Sequence, residues 1–178
     1  HAQGKRLPVG TALQIAWQVA DVLAVANMQG IVHRDLKPDN LMMVADPIAP
    51  GGERVKVLDF GIAKLTDNAQ RRGNRTDTRA VMGTPMYMSP EQCAGAGGVD
   101  PKTDVYSLGC VLYEMLGGRP PFIADGAGQL VGMHLFREPS SLSDFAPKLP
   151  TQVTALVHLF LTKDKTKRPA MTEAADEL

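Results

Sequence analysis

Eight consecutive residues, His33-Arg34-Asp35-Leu36-Lys37-Pro38-Asp39-Asn40, gather a carboxylate, a cation and an amide within one short stretch. Pro38 prevents a helix from running through it, so the three groups sit on a loop and can point into one small volume. That set suits phosphoryl transfer. Asp35 can orient a hydroxyl and accept its proton, Lys37 can neutralise charge on the moving group, and the amide oxygen of Asn40 can ligate a hard cation such as Mg²⁺. Read alone, the octet also fits a solvated polar loop after a helix. Asp59-Phe60-Gly61 stands 19 residues past Asn40, behind a strand pattern. The Asp59 carboxylate would be the second oxygen ligand, and Gly61 permits backbone angles closed to other residues.

The elements that must position these groups are legible from periodicity. Ile15, Val19, Val22 and Ala26 recur at helical spacing between Thr11 and Met28, beside a second stripe of Leu13, Ala16, Ala20 and Leu23. So wide an apolar arc predicts a core helix, with Pro8 before its first turn, Gly30 at its stop and Trp17 as a packing residue in preference to a binding platform. Leu41 to Ala45 and Arg54 to Leu58 read as strands joined by a Pro- and Gly-rich loop, a hairpin that returns the chain to the catalytic octet. Val105, Leu108, Leu112 and Leu116 predict a second core helix, apolar nearly all round, which Gly117 and Gly118 stop. A short segment near Leu130 to Phe136, an amphipathic helix through Val153 to Leu161 and a last helix from Thr172 complete the chain. The fold class is therefore mainly α with a small β-hairpin.

The octet and the Asp-Phe-Gly triplet together resemble the catalytic loop and metal-binding corner of protein kinases of the eukaryotic Ser/Thr type, in their bacterial branch. Lys37, two residues after Asp35, is similar to the Ser/Thr-directed members. The resemblance implies Asp35, Lys37 and Thr84 as catalytic residues, and Lys37, Asn40, Leu41 and Asp59 as the nucleotide-binding set. Asn40 and Asp59 would hold Mg²⁺, or Mn²⁺ in its place, on ATP. It implies an activation segment from 59 to 91, with Thr76 and Thr78 as phosphorylation sites and Arg34 as the cation a phosphate there engages. A solvated basic loop is the competing reading of that segment. The run Gly83-Thr84-Pro85-Met86-Tyr87-Met88-Ser89-Pro90-Glu91 resembles the substrate-docking end of the segment, with Ser89 where many members have Ala. Glu91 is expected to pair with Arg168, and Asp104 to hold the catalytic loop from below or to cap its own helix. Asn27 stands where many members have His.

The match runs through the whole of 1–178 but covers only the large lobe, a partial kinase domain. No Gly-rich loop precedes it, and no strand Lys with a helical Glu partner, so the small N-terminal lobe is absent. Partners implied are ATP, proteins bearing Ser or Thr, that small lobe, and a second kinase molecule in a dimer. The lobe without its partner exposes an apolar face and is expected to associate and to be inactive alone. A pseudokinase or non-catalytic binding module is the alternative; a small-molecule phosphotransferase conflicts with the docking segment. With 19 basic and 19 acidic residues, overall charge gives no reason to expect nucleic acid. The 44% apolar and 21% charged content suits a globular domain with a buried core. Cys93 and Cys110 lack metal-ligand spacing and read as fillers in a reducing compartment. No apolar run reaches the roughly 20 residues of a membrane span. A cytoplasmic location follows, with any membrane anchor lying in a segment outside this chain. His134 and His158 read as structural, and Met42, Met43, Met82, Met86 and Met88 as gap fillers or docking-loop lining.

Overall fold

The computed structural model describes residues 5–60, 85–95 and 98–178. Helix α1 spans Val9–Met28 and buries Ala12, Ala16, Val19, Ala20, Leu23 and Ala24. Most of these are small, which lets neighbouring helices approach closely. The helix ends in a Schellman arrangement: Gly30 sits at φ 75°, its N–H donates to Asn27 O, and the Ile31 N–H reaches back to Ala26 O. Two expectations are corrected here. Trp17 is 44% exposed and Val22 37%, because the buried arc is rotated toward the alanines. The helix also has the length and apolar content of a membrane span. Yet its inner face packs on the hairpin and on two other helices, as a core helix does.

Strands β1 (Leu41–Ala45) and β2 (Glu53–Val57) form an antiparallel hairpin with Leu41 opposite Val57 and Ala45 opposite Glu53. Asp46 shapes the turn, accepting from the Ile48 N–H and pairing with Arg54 at 2.6 Å. Gln18 of α1 accepts from the Val55 N–H at 2.9 Å, so one outward-facing donor of β2 is satisfied by a helix side chain.

After the short α2 (Pro90–Cys93) comes α3 (Lys102–Gly117), in which every residue from Thr103 to Gly117 is buried. It is the axis of the molecule. Leu108, Leu112 and Leu116 are at most 1% exposed, and each such burial stabilises by about 1.5–3 kcal/mol. Around it pack α1, α5 (Thr151–Phe160) and α6 (Met171–Asp176), with α4 (Ala127–Phe136) against α2. Gly109 permits the closest approach: a Cβ there would lie 2.8 Å from Phe160 Cβ on α5. Gly118, in the left-handed region at φ 78°, ends α3.

Candidate active site

The catalytic octet is held by the buried end of α3. Asp104, 0% exposed, accepts from the His33 N–H at 2.8 Å and from the Arg34 N–H at 2.9 Å. These two bonds hold Arg34 at φ 64°, a left-handed conformation that a residue with a side chain rarely adopts. Burial pushes the Asp104 carboxyl up, and the two N–H donors oppose that by favouring the charged form. The capping alternative is overturned. α3 starts at Lys102 with Pro101 as its cap, and Asp104 points across to the loop.

His33 continues the network. Its Nδ1 accepts from the Asp35 N–H at 3.3 Å and its Nε2 donates to Leu58 O at 2.9 Å, so the ring is the neutral Nε2–H tautomer. The Phe60 ring packs on it with centroids 4.7 Å apart. The Asn40 amide nitrogen donates to Asp35 O at 2.8 Å, so the amide oxygen is the end that could ligate a cation. Lys37 Nζ lies 3.2 Å from Asp35 Oδ2, both side chains being about 30% exposed.

Asp59 reaches this cluster through the hairpin. The Leu58 N–H donates to Asn40 O at 2.9 Å while the Leu58 carbonyl accepts from His33. One residue thus ties the end of β2 to both ends of the octet, and Asp59 follows immediately at φ 51°, its side chain exposed. A carboxylate and an amide oxygen, on residues whose backbones Leu58 links, are donors that suit a hard divalent cation taking its remaining ligands from phosphates and water. Among the described residues no group of three or more His, Cys, Asp and Glu side chains forms an all-protein metal cage. One carboxylate and one amide oxygen are the kind of donors that fit Mg²⁺ carried on a nucleotide.

Beside the loop lies an apolar cavity of about 320 Å³, lined among others by Leu7, Ile15, Pro38, Leu41, Val111 and Met115. Leu41 and Met43 face it, whereas Met42 alternates to the other side of the strand. Met42 is 50% exposed and Met43 40%, so neither is the gap filler that was expected.

Where the docking run ends, Ser89 caps α2 in a capping box with Gln92, which explains the hydroxyl at this position. Glu91 then meets Arg168, which is buried with a side-chain exposure of 0%. Nη1 donates to Glu91 Oε1 at 2.8 Å and to Lys102 O, Nη2 to Glu91 Oε2 at 2.9 Å and to Lys163 O, and Nε to Thr162 O. Every N–H of the guanidinium is used. Burial would raise the Glu91 carboxyl, but its bond to Arg168 and the charge beside it hold it below the usual range. Thr103 completes the set by donating to Glu91 Oε1 at 2.8 Å.

Thr76, Thr78, Thr84, Gly61 and Met82 lie outside the described residues. Arg34 Nε is buried and has no hydrogen-bond partner among the described residues. Several participants escaped the sequence reading. Ser89-Pro90-Glu91-Gln92 has the capping-box spacing that would have signalled Gln92. Tyr87, whose hydroxyl donates to Glu114 at 2.5 Å, and Thr103 carry no such signal.

A family model described as the protein kinase domain matches residues 2–177. Among curated relatives, serine/threonine-protein kinase Pkn1 of Myxococcus xanthus is 42% identical over 173 residues, 96% of this chain and 24% of its own length. Serine/threonine-protein kinase pkn2 of the same organism is 39% identical over 97% of the chain and 20% of its own length. Serine/threonine-protein kinase PknB of Mycobacterium leprae is 38% identical over 94% of the chain and 25% of its own length. The chain thus spans about a quarter or less of the relatives it matches. With the pinned octet, the Leu58 tie and the buried Glu91–Arg168 pair, the match shows that the chain belongs to the protein kinase family, in its bacterial serine/threonine branch.

Proposed function

We propose that residues 1–178 form the large lobe of a protein kinase domain that transfers the terminal phosphoryl group of ATP to Ser or Thr hydroxyls of proteins. The observation that supports this reading is the double hydrogen bond of Leu58, which ties the residue before Asp59 to His33 and to Asn40. In this reading Asp35 orients the acceptor hydroxyl and takes its proton, and Lys37, paired with Asp35, balances charge as the bond breaks. Asn40 and Asp59 would hold the metal, which would supply positive charge to offset that of the phosphate oxygens. Thr84 would complete the contact between Asp35 and Lys37. Leu41 would support the nucleotide from the side of the apolar cavity. An upstream small lobe would cover the nucleotide from above.

Arg34 is the proposed hydrogen-bond donor to a phosphate on Thr76 or Thr78. Its buried Nε, unpartnered among the described residues, supports that role, because a phosphoryl group supplies acceptor oxygens. The test is transfer of labelled phosphate from ATP to a generic Ser/Thr protein substrate by the full-length protein. Asp35→Asn should reduce the turnover number by about 10²–10⁴-fold. Transfer that continues unchanged in that variant would contradict the assignment.

A further inference from the structure

We propose that Gln92 is a positioning residue: its side-chain amide ties the docking end of the activation segment to the peptide bond preceding Asp35. The inference rests on the phosphotransfer reading above and adds to it a residue outside the catalytic loop. Gln92 Nε2 donates to Arg34 O at 2.7 Å, while its Oε1 accepts from the Ser89 N–H at 3.0 Å. The orientation of the amide is fixed by its partners, since a carbonyl demands the nitrogen and an N–H demands the oxygen.

The carbonyl of Arg34 and the N–H of Asp35 belong to one planar peptide unit. Gln92 holds the carbonyl end of that plane, and His33 Nδ1 holds the N–H end at 3.3 Å. The plane cannot rotate without breaking one of these bonds, and its rotation would swing the Cα that carries the catalytic carboxylate. Asp104 fixes the preceding peptide through the Arg34 N–H. Arg34 is therefore clamped on both sides, which is how a left-handed φ of 64° persists there. Because the other end of the Gln92 amide grips Ser89, movement of the docking segment is transmitted to the Asp35 peptide through one rigid side chain.

A capping role alone would not need glutamine. Glutamate serves equally at this position of a capping box, but a carboxylate cannot donate to the Arg34 carbonyl. Gln92→Glu thus keeps the cap and removes the tie, whereas Gln92→Leu removes both. In the full-length protein, Gln92→Glu should retain the thermal midpoint within about 2 °C. It should lower the turnover number about tenfold, the loss of one hydrogen bond to a reacting geometry. The KM for ATP should stay within about twofold, because Asn40 and Asp59 are held by other bonds. Gln92→Leu should lose both midpoint and turnover.

Hydrogen exchange of the amides in residues 31–40 supplies a readout that needs no turnover: exchange at Asp35 should quicken in Gln92→Glu. Wild-type turnover and unchanged exchange in Gln92→Glu would overturn the inference while leaving the kinase reading intact. A Gln92→Glu midpoint as low as that of Gln92→Leu would also overturn it, by making the Arg34 bond a stability element. If instead the wild type and Asp35→Asn transfer phosphate equally, the reading it rests on fails, and the exchange difference still decides whether the tie exists.

Discussion

Replacing Arg168 with Met keeps most of the side chain's volume and deletes its charge in a site where nothing can hydrate what remains. The Glu91 carboxylate, 10% exposed, is left with the Thr103 hydroxyl as its remaining side-chain donor, and the carbonyls of Thr162, Lys102 and Lys163 lose the N–H groups that satisfied them. Stranding one member of a buried pair costs about 3–5 kcal/mol, and in a chain of this size 1 kcal/mol moves the midpoint by about 2–4 °C. Arg168→Met should therefore lower the melting temperature by roughly 6–20 °C. Glu91→Gln should cost less, because the arginine keeps three backbone carbonyls and the new amide oxygen still accepts from Thr103. Urea unfolding of wild type, both single variants and the double variant gives the coupling directly, and it should exceed about 1 kcal/mol. The depressed Glu91 carboxyl adds a pH component: its stabilisation is present above the ordinary carboxyl range and is lost as pH falls through the folded value. A loss below about 1 kcal/mol in Arg168→Met, or a Glu91→Gln variant less stable than it, would show that stranding the Glu91 charge is not what destabilises the fold.

His134 on α4 is buried, and its Nδ1 meets the Tyr106 hydroxyl, which in turn accepts from Lys163. Burial, reinforced by the Lys163 charge, lowers its pKa from 6.5 to about 4, so the unfolded chain binds a proton that the folded one refuses. Stability should fall as pH drops from about 6.5 to about 4, by up to about 3 kcal/mol, and His134→Gln should flatten that part of the profile in pH-dependent urea melts. Gly109→Ala should destabilise by about 1–3 kcal/mol in the same assay, since its nearest neighbour is a Cβ on α5 and not a movable side-chain tip. Gly10→Ala, with nothing within 4 Å on α1, should be neutral or slightly stabilising. The isolated chain, with the 320 Å³ apolar cavity open and Met42 and Met43 exposed, should self-associate in light scattering; a monodisperse monomer would count against that.

Much of this architecture was readable because its signals are local. The apolar run of α3 has one interpretation at any depth, and its Gly stop and the Pro-Gly turn of the hairpin fix boundaries through backbone chemistry alone. The spacing of Asp35, Asn40 and Asp59 was readable for the same reason: a loop, a hairpin and a corner follow one another without insertion. What stayed hidden were long-range hydrogen bonds made by unremarkable residues. Nothing about Gln18 or Thr103 marks them in sequence as partners of β2 and Glu91, and the capping-box spacing that marks Gln92 does not point to Arg34, because a neutral amide or hydroxyl is equally at home on a solvated face. Trp17 failed for a related reason: helical periodicity locates an apolar arc but not its centre, and the small alanines took the interface.

In the proposed reaction Asp59 and Asn40 carry the metal while Asp35 acts on the acceptor hydroxyl. Binding of Mn²⁺-ATP to the full-length protein, followed by the electron paramagnetic resonance of the metal, separates those roles in one titration. Asp35→Asn should bind the metal-nucleotide as the wild type does although it no longer turns over, whereas Asp59→Asn should lose the metal signal. Equal binding by Asp59→Asn and wild type would contradict the account.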